Sequence, residues 1–340
     1  MKKKAVKIGV YLFSVPVAAV AVAVALLLIY ANSPIESNRI TKVTVDIPTG
    51  SSFLKAARIL EKAGLVTNKP LFFALATIKQ ASRSIRSGEY ELTTSITPLE
   101  LIDKLVRGEI KSYRVLIHED FNLKDVAARL SSYKLISEKV FFELAYDEAF
   151  LHSMGVLADS VEGYLFPDTY TFTRSMSTRQ IMRKMVDRFW EKIPPDMINQ
   201  AAERGLTPHE FVTFASLVGK ETGFSAEKPL IAAVFYNRLK KRMPLQSDPT
   251  TVYDLEDFDG RVLRKHYRRE SPYNTYRIRG LPPGPIGNPG LDSFLAVLNP
   301  EDVDYLYFVS RKDGTHYFTS TLEEHNRAVR QYRQNQTAIR

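Results

Sequence analysis

A run of 24 residues without a charged side chain, from Ile8 to Ala31, constrains the architecture of this chain most strongly. As an α-helix it would extend about 36 Å, which exceeds the ~30 Å hydrocarbon layer of a bilayer. Tyr11 and Tyr30 lie near its two ends, where tyrosine favours the membrane interface. A cleaved signal peptide is the alternative, but its apolar region is normally only about 7–15 residues long. The sequence therefore predicts an uncleaved transmembrane anchor.

Charge and cysteine content narrow the location and the chemistry. Four of the nine excess positive charges precede the apolar run, on Lys2, Lys3, Lys4 and Lys7. Since positive residues stay on the cytoplasmic side, residues 1–7 are predicted to be cytoplasmic and residues 8–31 to span a cell (inner) membrane once. The rest would be extracytoplasmic or periplasmic, which argues against nucleic acid as a partner. The absence of cysteine excludes disulfides, thiolate metal sites and a cysteine nucleophile.

A repeat with an offset of 70 residues follows the apolar run. Nine positions within residues 45–72 have identical or similarly apolar counterparts within residues 115–142. Each copy predicts a short strand, a turn, an amphipathic helix and a second helix. In the first copy, the apolar stripe of the amphipathic helix consists of Phe53, Ala56, Ala57 and Leu60. A coincidence of helical periodicity is the alternative to a true duplication.

The first copy, closed by a predicted strand at residues 88–92, resembles a LysM module. Such a module is a βααβ unit that binds glycans containing N-acetylglucosamine. A small α+β spacer without a ligand is an equally acceptable interpretation. We therefore expect a LysM-like module over residues 42–108 and a second, repeat-like α+β module over residues 109–160.

Residues 161–340 are predicted to form a larger α+β domain. Thr207 and Glu210 make a capping box that opens a helix continuing to about Thr222. The other signals predict a helix at residues 229–241, a β-hairpin from residues 305–310 and 316–320, a capping box at residues 321–324 and an irregular loop at residues 280–290. Long irregular loops of this kind often carry functional sites.

Glu221 is the residue whose position most strongly suggests chemistry. It lies seven residues after Phe214 and three after Val218, so it continues the apolar face of its predicted helix. Partial desolvation there would raise its pKa and let it hold a proton at neutral pH, as a general acid must. Spacing alone leaves open a structural glutamate at the helix end, turned to solvent or paired with a nearby lysine.

The segment that follows is rich in tyrosine, amide and carboxylate side chains, the groups that build carbohydrate clefts. Aromatic rings stack on sugar faces, while amides and carboxylates bond hydroxyl groups. The candidates for substrate contact are Gln246, Ser247, Asp248, Tyr253, Tyr273, Asn274 and Tyr276. The same residue types are common in turns, so a structural role stays open.

Histidines and clustered basic residues give weaker signals. The six histidines show no metal-ligand spacing, although His316 and His325 could approach each other through the turn before the last helix. Five basic residues cluster within nine positions, at Arg261, Arg264, Lys265, Arg268 and Arg269. Such a run is most often a solvated loop, and alternatively it contacts anionic glycan or peptide carboxylates.

Taken in order, several sequence strings resemble the MltG/YceG family of endolytic murein transglycosylases over nearly the whole chain. They are Glu162-Gly-Tyr-Leu-Phe-Pro-Asp-Thr-Tyr170, Ala215-Ser-Leu-Val-Gly-Lys-Glu-Thr222, Val234-Phe-Tyr-Asn-Arg-Leu239, Leu245-Gln-Ser-Asp-Pro-Thr250, Tyr273-Asn-Thr-Tyr276, Gly280-Leu-Pro-Pro-Gly-Pro-Ile286, Asn288-Pro-Gly290, Tyr305-Leu-Tyr-Phe-Val309 and His325-Asn326. The resemblance implies an α+β architecture in the order transmembrane helix, LysM-like module and catalytic YceG-type domain, the last over residues 161–340.

The resemblance also implies the reaction and its residues. The family's catalytic glutamate corresponds to Glu221, which would protonate the glycosidic oxygen of a MurNAc-β-1,4-GlcNAc bond inside a strand. It would then act as base on the MurNAc 6-hydroxyl and give a 1,6-anhydroMurNAc end. Glu162, Gln246, Asp248 and Asn274 would steady the developing charge, and Asn288 joins the substrate-contact candidates. The chain departs from the family's pattern once, because Gly219 stands where many relatives carry another glutamate. This puts in doubt any mechanism that needs both glutamates.

The partners that follow from the resemblance are peptidoglycan glycan strands, the membrane and cell-wall synthases of the penicillin-binding type. No metal or cofactor is implied. The enzyme would terminate glycan strand elongation. The alternatives are a non-catalytic peptidoglycan-binding scaffold for synthases and a muramidase-type hydrolase of the same bond.

Overall fold

The computed structural model describes residues 2–35 and 40–337, with side chains from Val17 onward and up to Tyr332. The chain is mixed α+β and divides into two compact units. Unit 1 comprises Met1–Tyr113 with Thr171–Met176, and unit 2 comprises Arg114–Tyr170 with Ser177–Arg340. Residues 114–170 thus belong to the same unit as the C-terminal half, whereas the modules predicted over residues 42–108, 109–160 and 161–340 stay predictions.

The described residues of unit 1 form a two-stranded antiparallel sheet and four α-helices. Its elements are α1 (Lys2–Asn32), β1 (Lys42–Ile47), α2 (Phe53–Lys62), α3 (Lys69–Ile78), β2 (Gly88–Thr93) and α4 (Pro98–Arg107). β1 pairs with β2 in a register that sets Val45 opposite Tyr90. The order of β1, α2, α3 and β2 is that of a βααβ unit, and the likeness to a glycan-binding LysM module stays a prediction.

The amphipathic helix predicted in unit 1 is confirmed. The buried residues of α2 are those of the predicted stripe, Phe53, Ala56, Ala57 and Leu60. The ring of Phe53 stacks on that of Phe72 in α3, with centroids 5.4 Å apart. Ser52 caps α2 by accepting a hydrogen bond from the amide of Lys55.

The predicted membrane segment, Ile8–Ala31, lies within α1, but its side chains up to residue 16 are outside the described ones. Within the described part of the chain, no helix combines the length and the apolar character needed to cross a membrane.

Unit 2 is mainly helical. Its helices are α5 (Leu123–Ser132), α6 (Glu138–Ala145), α7 (Glu148–His152), α8 (Thr178–Lys192), α9 (Pro195–Glu203), α10 (Pro208–Glu221), α11 (Lys228–Lys240), α12 (Leu291–Leu298) and α13 (Leu322–Thr337). The remaining strands are β3 (Tyr113–Leu116), which pairs with β4 (Thr169–Phe172), and β5 (Tyr307–Ser310), which pairs antiparallel with β6 (His316–Thr319).

α10 is the central helix of unit 2. Every residue from Phe211 to Gly219 is buried, and the helix packs against α9, α11 and α12. The ring of Phe294 in α12 lies edge-on to Phe211, with centroids 5.1 Å apart. The predicted apolar face of α10 is buried, and burial in the middle of the helix extends beyond that single face.

The other local predictions for unit 2 are confirmed to within two residues. The capping box of Thr207 and Glu210 opens α10, and Thr222 is its C-cap. The predicted second helix is α11, and the predicted hairpin is β5 with β6. Thr321 and Glu324 form the capping box before α13. Residues 280–290 are irregular, as expected from their proline and glycine content.

Candidate active site

The C-terminal end of α10 brings Glu221 to the wall of a cleft with a volume of about 610 Å³. Because the preceding turns are fully packed, the position of this side chain is set by the core of unit 2. The chain leaves the helix at Thr222 in an extended conformation. A carboxyl group at a helix C-terminus faces the negative end of the helix dipole, which favours its protonated form.

The buried Ser247 orients the Glu221 side chain through a hydrogen bond. Its hydroxyl donates a short hydrogen bond to Glu221 Oε1, and Ser247 itself is fully buried. The amide of Ser247 donates to Thr275 Oγ1 at 2.9 Å, and Thr250 Oγ1 donates to the Ser247 carbonyl at 2.6 Å. These buried bonds fix the turn, so that the hydroxyl points at the carboxyl group.

Burial raises the pKa of Glu221 to about 7. The hydrogen bond from Ser247 opposes this rise, the negative charge of Asp248 adds to it, and the positive charge of Arg238 opposes it. Near neutral pH, Glu221 therefore exists in both its protonated and its ionised form. A group that first donates and then accepts a proton needs a pKa in this range.

Asp248 is the second carboxylate of the cleft and is held by two tyrosines. Tyr276 donates to its Oδ1 at 2.6 Å, and Tyr267 donates to its Oδ2 at 3.1 Å. Burial and the neighbouring carboxylate raise the pKa of Tyr267 to about 12, so its hydroxyl remains a donor. Asp248 thus places a negative charge beside Glu221.

Arg238 places a buried positive charge at the same cleft. Its guanidinium donates to the carbonyls of Leu306 at 2.6 Å and Leu245 at 2.9 Å, and to Gln246 Oε1 at 3.2 Å. Arg238 was not among the site residues predicted from the sequence. The signal was present, because Arg238 follows Ile231 and Val234 of α11 at helical spacing and so continues a buried face.

The hairpin of β5 and β6 and helix α13 form another part of the cleft wall. The lining residues they supply include Phe308, Lys312, His316, His325 and Tyr332. His316 bonds Glu227 through its Nδ1 at 2.8 Å. Burial and the charge of Arg238 lower the pKa of His325, so its imidazole is neutral at pH 7. The two histidines line one cleft, as their approach through the turn suggested, although neither was predicted as a site residue.

A second cavity, of about 400 Å³, shares Asp248 with the Glu221 cleft. Lys220, Tyr253 and Ile286 are among its lining residues. Tyr273 packs its ring on Tyr253, with centroids 4.7 Å apart, instead of lining the Glu221 cleft.

Glu162 is the centre of a buried hydrogen-bond network away from the cleft surface. Its Oε2 accepts from the Leu123 amide at 3.0 Å and from the Tyr253 hydroxyl at 2.9 Å. Its Oε1 accepts from Asn288 Nδ2 at 3.0 Å, while Asn288 Oδ1 accepts from the Leu165 amide at 2.8 Å. Burial raises the pKa of Glu162 to about 7.

The structure buries three of the predicted substrate contacts and uses their side chains in internal hydrogen bonds. Glu162 is only 2% exposed, and Asn274 and Asn288 are fully buried. The amide of Asn274 is used to hold carbonyls of its own loop, at 2.6 Å from that of Arg269. Of the other candidates, the structure gathers Gln246, Ser247, Asp248 and Tyr276 around Glu221, whereas Tyr253 and Tyr273 lie at or near the second cavity.

No group of three or more histidine, aspartate or glutamate side chains that could hold a metal ion is found among residues whose side chains are described. The cleft offers instead an acid of raised pKa, a neighbouring carboxylate, hydroxyl donors and aromatic rings. This set is suited to proton transfer on a polyhydroxylated substrate.

The structure gives Gly219 a packing reason. A Cβ atom there would collide with the Asp120 carboxyl group and lie 3.1 Å from Ser293 Oγ. Asp120 Oδ1 and Ser293 Oγ are both buried, and neither has a hydrogen-bond partner within the described chain. Burial raises the pKa of Asp120 to about 6, against the opposing charges of Lys228 and Lys220. The Asp120 carboxyl group therefore fills the space that a side chain at position 219 would need.

Comparison with known proteins agrees with this architecture. The YceG-like family matches residues 45–331. The endolytic murein transglycosylase of Bacillus subtilis (strain 168) is 33% identical over 314 residues, which cover 88% of this chain and 87% of that protein. The protein of the same name from Streptococcus pneumoniae serotype 2 (strain D39) is 30% identical over 331 residues, and the match spans 60% of its length.

A solved structure gives the same result for the fold. The 2.6 Å crystal structure of a putative YceG-like protein from Listeria monocytogenes has a TM-score of 0.60 to this chain at 34% sequence identity. The match covers 84% of this chain and 98% of that one. The extent of these matches, together with the shared fold, shows that the chain belongs to the YceG-like family.

Proposed function

We propose that this protein cleaves MurNAc-β-1,4-GlcNAc bonds within peptidoglycan strands without water as the nucleophile, and leaves 1,6-anhydroMurNAc ends. The chain is an enzyme of the lytic transglycosylase class, as its relatives are named. The observation that carries the specific mechanism is Glu221, a carboxyl group with a pKa of about 7 at the wall of a cleft of about 610 Å³.

One carboxyl group is sufficient for this reaction. Protonated Glu221 donates its proton to the glycosidic oxygen while the bond from that oxygen to C1 of MurNAc breaks. The resulting carboxylate then takes the proton of the MurNAc 6-hydroxyl as its oxygen bonds to C1, which regenerates protonated Glu221. Because the nucleophile is part of the same sugar, no second carboxylate is needed to activate water.

The other cleft residues have supporting roles in this proposal. Asp248, which accepts hydrogen bonds from Tyr267 and Tyr276, would stabilise the positive charge that develops at C1. The hydrogen bond from Ser247 would hold Glu221 in one orientation through both proton transfers. Gln246, whose amide is fixed by Arg238, would bond a sugar hydroxyl.

We place this enzyme at the cell membrane, anchored by residues 8–31, with its catalytic domain on the extracytoplasmic or periplasmic side. A short tether of this kind would favour newly made strands beside the synthases that extend them. Cutting there would terminate strand elongation, and the LysM-like module would bind the glycan. The four lysines before the anchor support this orientation.

The test is digestion of purified glycan strands by the wild type and by Glu221→Gln, with mass spectrometry of the new ends. The wild type should give anhydro ends, with a rate that falls above about pH 7 as Glu221 loses its proton. Glu221→Gln keeps the shape but cannot donate the proton, so its rate should drop at least about 1,000-fold.

Glu162→Gln is the matched control, because Glu162 has the same raised pKa but is buried in the hydrogen-bond network away from the cleft. It should lower stability and change the turnover number much less than Glu221→Gln. Reducing ends would identify a muramidase-type hydrolase, and intact strands would identify a scaffold. A folded Glu221→Gln protein that still cuts would refute the proposed role.

A further inference from the structure

A group of basic side chains lies beside the Glu221 cleft, on the loop between residues 252 and 272. Its exposed basic residues Arg264, Lys265 and Arg268 line a cavity of about 750 Å³. Arg264 also lines the cleft that contains Glu221. The basic cavity and the catalytic cleft therefore share a wall.

Among the described residues that line this cavity, basic side chains outnumber acidic ones. Arg269 is paired with Asp254, and Ser271 donates to the same carboxylate at 2.7 Å. In contrast, Arg264, Lys265 and Arg268 form no ion pair with any described carboxylate. Asp257 is the one acidic residue of the described lining, which leaves an excess of positive charge.

The loop is nevertheless held in a defined shape. Asn274 Nδ2 donates to the carbonyl of Arg269 at 2.6 Å and to that of His266 at 3.2 Å. The buried His266 accepts the amide hydrogen bond of Leu263 at 3.1 Å. Tyr267, between these residues, donates to Asp248 of the cleft. Like charges held next to one another repel, and binding of an anion relieves that repulsion.

We propose that this basic cavity binds the carboxylates of the peptide stems carried by the strand that Glu221 cuts, so that the enzyme prefers peptide-bearing glycan. The inference rests on the proposed function and names a feature of its substrate. The sugars of the strand offer hydroxyl and amide groups, whereas the stems offer carboxylates, which arginine binds through two parallel hydrogen bonds. A stem attached to a sugar in the cleft would reach the cavity past Arg264.

An anionic membrane surface is the other class of partner for exposed basic residues. A concave cavity that shares Arg264 with the catalytic cleft fits a group projecting from the bound strand better than a flat layer of headgroups. Since the strand has to enter the cleft for cutting, its own carboxylates arrive at the cavity in every turnover.

The experiment compares cleavage of peptide-bearing strands with cleavage of the same strands stripped of peptides by an amidase, in which the lactyl carboxylate freed on each MurNAc is then capped as an amide. It uses the full chain in nanodiscs of neutral phosphatidylcholine. The wild type should have about tenfold higher kcat/KM for peptide-bearing strands, as two or three exposed ion pairs would give. The preference should shrink at high salt and when the stem carboxylates are capped as amides. Lys265→Gln/Arg268→Gln should lose it through a higher KM.

Arg261→Gln is the matched control, because Arg261 is exposed in the same basic run but lines neither the cleft nor the basic cavity. It should keep the wild-type preference. Equal cleavage of both substrates by the wild type would overturn the inference, and so would an equal loss on both substrates in the double variant. An effect of the double variant that appears only in nanodiscs with anionic lipid would also overturn it, in favour of a membrane contact.

Binding measurements separate this inference from the proposed reaction. The Glu221→Gln protein should co-sediment more strongly with peptide-bearing than with stripped strands, and Lys265→Gln/Arg268→Gln in that background should remove the difference. This result would support the subsite even if the products of the wild type were not anhydro ends. Equal binding of both substrates would overturn the subsite even if anhydro ends were formed.

Discussion

The strand, turn and helix segments at residues 45–78 and 115–145 share one backbone plan but differ in what their turns contact. α5 begins and ends 70 residues after α2. Left-handed backbone positions recur at the same spacing, with Gly50 (φ +75°) matched by Asp120 (φ +62°) and Gly64 (φ +73°) matched by Lys134 (φ +55°). A coincidence of helical periodicity does not account for matching positive φ angles, so these positions favour a duplication.

The two turns have different surroundings. A side chain added at Gly50 would meet nothing within 4 Å. In the second copy, the Asp120 amide donates to the Asn288 carbonyl at 2.8 Å, and its carboxyl group packs on Gly219 of α10. The turn of the first copy thus has free space around it. The turn of the second copy, with the same backbone conformation, packs against the helix that carries Glu221. Local sequence sets the shape of the turn, and its packing partners decide whether it affects the site.

Among the variants that test this difference between the two turns, Gly219→Ala should change the free energy of unfolding most. An exposed helical glycine normally gains about 1 kcal/mol on replacement by alanine. Here the added methyl group would overlap the Asp120 carboxyl group, so we expect the free energy of unfolding to fall by about 2–3 kcal/mol, as for overpacked cores. Denaturant unfolding followed by fluorescence of Trp190, the sole tryptophan, measures this in unit 2.

The double variant Gly219→Ala/Asp120→Gly is the rescue control, because it removes the overlapping carboxyl group and gives the turn the residue found at Gly50. It should recover most of the lost stability, with a coupling free energy that independent sites would not show. If Gly219→Ala alone stabilises the protein like an ordinary helical site, the proposed contact between Asp120 and Gly219 is wrong.

The difference between local sequence and distant packing partners also explains which features could be predicted from sequence. The stripe of α2, the capping box of α10 and the β5–β6 hairpin depend on residues close in the chain, and all three were predicted. The position of Glu221 at the helix end was also predicted, although burial in the middle of α10 extends beyond the single apolar face on which that prediction was based.

What the sequence could not predict depends on partners distant in the chain. Glu162 bonds Asn288, which is 126 residues later, and both of these predicted substrate contacts are buried. The packing of Asp120 on Gly219 joins segments about 100 residues apart. Arg238 differs from these cases, because the periodicity argument that selected Glu221 would also have selected it.

Asp120→Asn should have an intermediate effect that depends on pH. The pKa of Asp120 is raised from 3.8 in the absence of the fold to about 6 in the folded protein, so the folded state binds its proton more tightly. The buried, ionised carboxylate therefore lowers the free energy of unfolding. This penalty is absent below about pH 4 and complete above about pH 6. The variant should be more stable than the wild type by about 1–2 kcal/mol at pH 7.5, after allowance for solvent screening, with no gain at pH 4.

The control for this pH dependence is Gly50→Asp, which places a carboxylate at the matching but open turn of the first copy. It should change the free energy of unfolding, measured by circular dichroism, by an amount that is the same at pH 4 and pH 7.5. A stability gain for Asp120→Asn that does not vary between these pH values would show that burial of the carboxylate is not its cause.

Lys134→Gly should change the free energy of unfolding least. It can be compared directly with the reverse substitution at the matching position, Gly64→Lys. Both α2 and α5 end with a left-handed residue, after which the amides of Leu65 and Leu135 donate back to the carbonyls of Leu60 and Leu130. Lysine adopts this conformation at a cost that glycine avoids, so Lys134→Gly should raise the free energy of unfolding by about 0.5–1 kcal/mol. Gly64→Lys should lower it by a similar amount, since a side chain there meets nothing within 4 Å and only the backbone term applies. Calorimetry of both variants measures the two changes, and unequal magnitudes would show that one helix end is held by contacts that the shared backbone plan does not include.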